Sequence, residues 1–182
     1  MDGAFFWLEP TVEACRAHAH AANVRFDWKP EPPATADDLM WLEESLAAAI
    51  PESLRAFLLM CNGAELLIGC RSGDDWWGQT LFFLGARGIV AFALDKSGDE
   101  ERGAFLAIAD LEDGNEAGMR RSPAHEAIEA TIYDLDHDVP PEFWPAQPVG
   151  RDIENWLRSI LVAFADGRRS VGFEQDEPLV MP

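Results

Sequence analysis

Three aspartates alternate along Asp134-Leu135-Asp136-His137-Asp138, the spacing with which a calcium loop presents its first carboxylates. The glycine of such a loop and its closing glutamate are missing at the required distance, so the segment reads as a solvated turn or as an acidic rim. Histidines offer little more. His18 and His20 are two residues apart on a predicted helix and point to different faces, whereas a helical zinc pair is spaced by four. His125 and His137 each lie in a predicted loop near acids, a faint hydrolase-like clue. No serine or cysteine sits in an activating motif, and no glycine-rich phosphate loop is followed by lysine. A metal-dependent hydrolase is therefore the weakest functional reading; no catalytic residue, metal ligand set or cofactor is expected.

A second kind of chemistry is better represented. Gly73-Asp74-Asp75-Trp76-Trp77-Gly78 places two tryptophans beside two carboxylates in a predicted loop. Two adjacent tryptophans there are not expected to enter the core together, and an exposed tryptophan flanked by acids is the composition of a hot spot for a basic protein. The alternative is that both rings fold over the sheet edge as a lid. Asp110, Glu112, Asp113 and Glu116, around a predicted Asp-Gly-Asn turn, offer the same choice between a solvated turn and an acidic rim, as do Asp134, Asp136 and Asp138.

Whole-chain charge points the same way. With 33 acidic against 14 basic residues the formal net charge is −19, which opposes binding to nucleic acid and to anionic membranes and attracts basic proteins. Acidity that merely keeps a protein dispersed would look the same. The three cysteines, Cys15, Cys61 and Cys70, are an odd number without close spacing and read as free thiols in a reducing compartment. The N-terminus lacks the basic leader and long apolar run of a signal peptide, and no stretch approaches the ~20 apolar residues that span a bilayer. These features predict a cytoplasmic protein.

The elements that position these groups are legible from periodicity. A helix is predicted from Pro10 to about Ala22, stopped by Asn23, and the prolines at 30, 32 and 33 mark an extended linker. Thr35 and Asp38 resemble a capping box before Leu39, Leu42 and Leu46. Pro51 opens a second helix, with Leu54, Phe57, Leu58 and Cys61 on its apolar face and Asn62-Gly63 as left-handed terminators. Strands are predicted at 65–69 and 80–84, joined by a wide loop into a wide hairpin, then at 105–109, 116–119 and 130–134; residues 89–96 suit either a strand or a short helix, and Ile89, Phe92 and Ala93 favour the helix. A strong amphipathic helix runs from 151 or 152 to Phe164, and Gly167 ends it. Residues 168–182 form either a docked extended segment or a loose tail. Helices, then an antiparallel meander, then a helix describe an α+β fold.

In this order the elements resemble the SUKH superfamily, which includes fungal cell-wall-assembly regulators and bacterial toxin-immunity proteins. The phrase Pro51-Glu-Ser-Leu-Arg-Ala-Phe-Leu-Leu-Met-Cys-Asn-Gly63 carries most of the likeness. It is supported by Thr80-Leu-Phe-Phe-Leu84, by Phe105 to Asn115 with its glycine-bearing turn, and by the late strand followed by Asp152-Ile-Glu-Asn-Trp-Leu-Arg-Ser-Ile-Leu161. The resemblance implies a curved, mostly antiparallel sheet packed by helices, and a binding protein without catalysis. It divides the chain into an N-terminal helical extension and Pro-rich linker (1–33), a SUKH-like domain (34–166) and a C-terminal tail (167–182). The expected function is immunity against a cognate toxin, a basic nuclease among the candidates, with a regulatory adaptor for a cellular protein as the alternative.

Overall fold

A computed structural model describes residues 4–72, 75–95, 102–112, 114–122, 127–146 and 148–168; the side chains of residues 70–72, 75–77 and 102 lie outside that description. Among the described residues, seven strands form one antiparallel meander in sequence order: β1 (Phe26–Pro30), β2 (Ala64–Ser72), β3 (Asp75–Phe83), β4 (Phe105–Leu111), β5 (Glu116–Arg121), β6 (Ile128–Leu135) and β7 (Pro148–Gly150). Five α-helices of the described residues accompany them: α1 (Leu8–Ala22), α2 (Ala36–Leu46), α3 (Glu52–Met60), α4 (Ala86–Asp95) and α5 (Ile153–Ala165). The fold is α+β, with an open sheet and a helix at its N-terminal end.

Local chemistry explains the helix ends. Asn23 ends α1 with φ 54°, a left-handed conformation that asparagine tolerates. The Thr35 hydroxyl accepts from the Asp38 backbone N–H while the Asp38 carboxylate accepts from that of Thr35, so the capping box is complete. The Thr35 hydroxyl also donates to the Asp38 carboxylate at 2.7 Å, and this bond, followed by the one from the Thr35 N–H, holds the Asp38 carboxyl below its ordinary range. Glu43 fixes the corner between α2 and α3. Its Oε1 accepts from Arg55 Nη2 at 2.6 Å and from the Ile50 N–H at 3.0 Å.

One face of the sheet carries the main core. Phe57 of α3, Phe83 of β3 and Trp156 of α5 touch in series, with ring centroids 5.6 and 5.5 Å apart, and all three are buried. Trp28 and Phe5 extend the chain of rings. A smaller cluster of Phe105, Tyr133, Leu135 and Trp144 lies apart from this core. β-Strand alternation explains the separation: Leu106 and Ile132 belong to the main core while their strand neighbours Phe105 and Tyr133 belong to the second cluster.

Four expectations need correction. The stretch read as a linker is extended, but its residues 26–30 pair with β2 as the first strand of the sheet; its prolines fall at and after the strand's end, where they break no ladder. The wide loop between β2 and β3 is mostly hairpin, since pairing continues from Ala64↔Phe83 to Ser72↔Asp75; glycines and adjacent tryptophans disguised a strand. Asn62 is not left-handed. Its Oδ1 instead accepts from the Ala86 N–H at 2.8 Å, and Gly63 alone takes the positive φ, +107°. Finally, α1 begins at Leu8 rather than Pro10, because proline is accommodated in a first turn.

Candidate partner-binding surface

In a meander, successive connections alternate between the two ends of the sheet. The β2–β3, β4–β5 and β6–β7 connections therefore share one end. Every acidic or aromatic segment singled out in the sequence falls at this end. Residues 75–79 of β3 run on past Leu81↔Leu111, where pairing with β4 begins, so the hairpin projects by about 17 Å at ~3.3 Å per residue. Asp75, Trp76 and Trp77 lie on this arm, opposite Ser72, Arg71 and Cys70. Asp74 lies outside the described residues, as does Asp113.

The β4–β5 turn is built around Gly114 at φ +91°, with the Gly114 N–H bonded to the Leu111 carbonyl and the Leu111 N–H to that of Asn115. Asp110 and Glu116 face each other across the two strands, with Phe82 on the far side of Asp110 and Leu135 on the far side of Glu116. Two carboxylates in register favour a cation placed against them. Glu112 is exposed, and its N–H reaches the Thr80 carbonyl. Phe82 keeps 42% of its surface accessible, unusual for a phenylalanine in the middle of a sheet.

The third connection is tied to the second. Asn115 Oδ1 accepts from the His137 N–H at 3.1 Å and lies 2.7 Å from His137 Nδ1, locking two turns into one surface. Asp136 Oδ1 accepts from the Asp138 N–H at 2.8 Å, and the Asp136 carbonyl accepts from the Trp144 indole at 3.0 Å. The alternation that mimics a calcium loop is thus partly an aspartate turn. Asp138 is exposed. Asp134 is buried on β6, opposite Ala117. Between the turns and the second cluster is a notch of about 60 Å3 lined by Phe105, Glu116, Leu135, His137 and Trp144. Ligand pockets run to roughly 300–1,000 Å3, so this notch is the size of one side-chain tip.

Among the described residues, no three histidine, cysteine or acidic side chains converge as metal ligands. His125 lies outside the described residues, and His137 has Asn115 and Asp138 as neighbours rather than a nucleophile. The Cys15 and Cys61 thiols are buried and pushed up to about 12 by desolvation, the reverse of what a reactive cysteine needs. No helix among the described residues is long and apolar enough to cross a membrane. The contributions of Asn115, His137, Trp144 and Phe82 were not read from the sequence as parts of a surface, because only the register brings them together.

Residues 33–159 match the SMI1 / KNR4 family (SUKH-1). The chain belongs to that family. The matched span contains all three connections at the acidic end and the Pro51–Gly63 phrase, and it begins after β1. A search of curated proteins returned no match. Membership places the chain among protein-binding domains of the immunity and regulatory kind.

Proposed function

We propose that this SUKH-1 domain is a non-catalytic immunity protein that neutralises a basic bacterial toxin domain, a nuclease being the class whose phosphate-binding surface is most basic, by covering it in the cytoplasm. The observation that carries the reading is the gathering of three acidic connections at one end of the sheet of a SUKH-1 family member. In the proposed interface the hairpin arm supplies Asp74, Asp75, Trp76 and Trp77. The fixed turns supply Asp110, Glu112, Asp113, Glu116, Asp136 and Asp138. Asp134 positions rather than touches. The aromatics provide desolvated anchors and the carboxylates steer a basic partner, a division of labour that makes association fast and salt-dependent. The notch beside Glu116 and Trp144 would take one lysine or arginine tip from the partner.

Co-expression with toxin domains encoded beside its gene, followed by affinity purification at about 50 mM and about 500 mM salt, tests the proposal. Protection of the cell, and a complex that weakens markedly at the higher salt, are the expected results. Failure to bind or protect against any neighbouring toxin would sink the immunity reading. Recovery of a constant cellular protein instead would transfer the surface to an adaptor role.

A further inference from the structure

The outer strand of the sheet carries its charges in an order that matters only if another strand pairs with it. In the β1–β2 ladder the Gly69 N–H donates to the Arg25 carbonyl and the Glu31 N–H to the Gly63 carbonyl, which fixes the parity of the pairing. Residues 25, 27, 29 and 31 bond to β2, so the backbone groups of Phe26, Trp28 and Pro30 face outward. Among the described residues no strand pairs on that side. Strand alternation sends Phe26 and Trp28 to the main core and Arg25, Asp27, Lys29 and Glu31 to the opposite face. There Lys29 Nζ lies 3.1 Å from Asp27 and 3.0 Å from Glu65.

A charged edge bearing a proline ordinarily discourages pairing. In β1, however, the signs run plus, minus, plus, minus, with Trp28 at their centre. An antiparallel copy of the same strand, related by a two-fold axis at Trp28, sets Arg25 opposite Glu31 and Asp27 opposite Lys29, each twice, so every charge meets its opposite. A shift by two residues sets Asp27 against Asp27 and Arg25 against Lys29, or Lys29 against Lys29 and Asp27 against Glu31, and like charges directly opposite are destabilising. The backbone accepts the matched register. Trp28 exchanges both its bonds with its counterpart, and each Phe26 N–H meets a Pro30 carbonyl, so the missing proline N–H leaves only the Phe26 carbonyl without a partner. The net charge of −19 opposes self-association at long range, but physiological salt screens beyond about 8 Å, whereas cross-strand side chains lie about 5 Å apart.

We propose that the chain self-associates through β1, two copies pairing antiparallel about Trp28 into one continuous sheet, with the charges of residues 25–31 selecting the register. A groove of about 550 Å3, lined by Phe5, Phe6, Trp28 and Met60 among others, borders this edge and adds apolar surface beside the ladder. The contact is small, so the dimer forms at micromolar rather than nanomolar concentrations.

Sedimentation equilibrium of the full chain in ~0.15 M salt, from about 5 to about 500 µM, tests this. The apparent mass rises with concentration from 20.2 kDa towards twice that value. Asp27→Lys and Lys29→Glu each bring two pairs of like charges together and raise the dissociation constant at least about tenfold, at unchanged far-UV circular dichroism because both side chains are largely exposed. An equimolar mixture of the two variants restores opposite charges at every position and associates as the native chain does. A native chain that stays at 20.2 kDa throughout, single variants that associate as tightly as it does, or a mixture no tighter than its components overturns the proposal. β1 pairs with β2 only as far as Ile68, short of the hairpin arm, so the toxin-binding proposal is tested separately.

Discussion

Acids do different things at the two most acid-dependent places in this molecule. In the α2–α3 corner they are consumed internally: Asp38 closes a capping box, and Glu43 accepts from both Arg55 and the Ile50 backbone. At the end of the sheet, Glu112 and Asp138 sit on exposed turns, and Asp110 and Glu116 face each other across a strand pair. The first arrangement stabilises one chain by satisfying helix ends and a bend. The second places like charges opposite each other across a strand pair, an arrangement that, under the proposed function, a cationic partner relieves. The difference teaches that acid content alone does not assign a role to a carboxylate in a chain of net charge −19: at the α2–α3 corner the hydrogen bonds of Asp38 and Glu43 assign it, and at the end of the sheet the binding role is the proposal made above.

The comparison can be broken first through the core that holds both places. Phe57 is fully buried between Phe5 and Phe83. Phe57→Ala is expected to lower unfolding stability by about 3–5 kcal/mol, read by urea denaturation. Partner affinity of the fraction still folded should be unchanged. A large loss of affinity in well-folded F57A would mean that the platform is not rigid and that the separation of roles is false.

A smaller effect sharpens the structural half. Glu43 and Arg55 are each less than one-third exposed, and the Arg55 hydrogen bond, followed by that from the Ile50 N–H, holds the Glu43 carboxyl below its ordinary value despite partial burial. A depressed folded-state pKa contributes stability that is fully present above the unfolded value near 4.5 and is lost as pH falls through the folded one. Glu43→Gln should therefore cost about 2 kcal/mol at neutral pH and flatten the fall in stability below pH ~5, as followed by thermal melts across that range. Partner binding at neutral pH should not change. An unaltered acid limb in E43Q would remove this corner from the account.

What the sequence disclosed, and what it withheld, follows the same division. The capping box at Thr35, the buried stripes of α3 and α5, the Asn23 stop and the α+β order were all legible because they depend on residues three or four apart. The acidic segments were legible as composition. Their convergence was not, since Asp75, Glu112 and Asp138 share an end of the sheet only through the meander. The role of β1 was hidden by prolines that follow the strand, and the length of the β2–β3 hairpin by glycines and tryptophans inside it. The Asn115–His137 tie is a contact between residues 22 apart, and no local pattern announces it.

The smallest change in stability should accompany the largest selectivity for binding. Glu112→Gln/Asp138→Asn removes two exposed charges without touching the carboxylate that organises the turn at Asp136, so unfolding stability should move by no more than about 0.5 kcal/mol. Binding to the basic partner should weaken mainly through a slower association rate at low salt, and the difference from the native chain should shrink as salt rises, because distant exposed charges are screened. Trp76→Ala or Trp77→Ala on the hairpin arm should act on dissociation instead, with a loss of about 2 kcal/mol or more, roughly 30-fold in affinity, that survives high salt. Surface plasmon resonance at several ionic strengths separates the two signatures. If the acid variant lost stability rather than association rate, the turns would belong with the α2–α3 corner, and the contrast between acids that hold the fold and acids that face a partner would collapse.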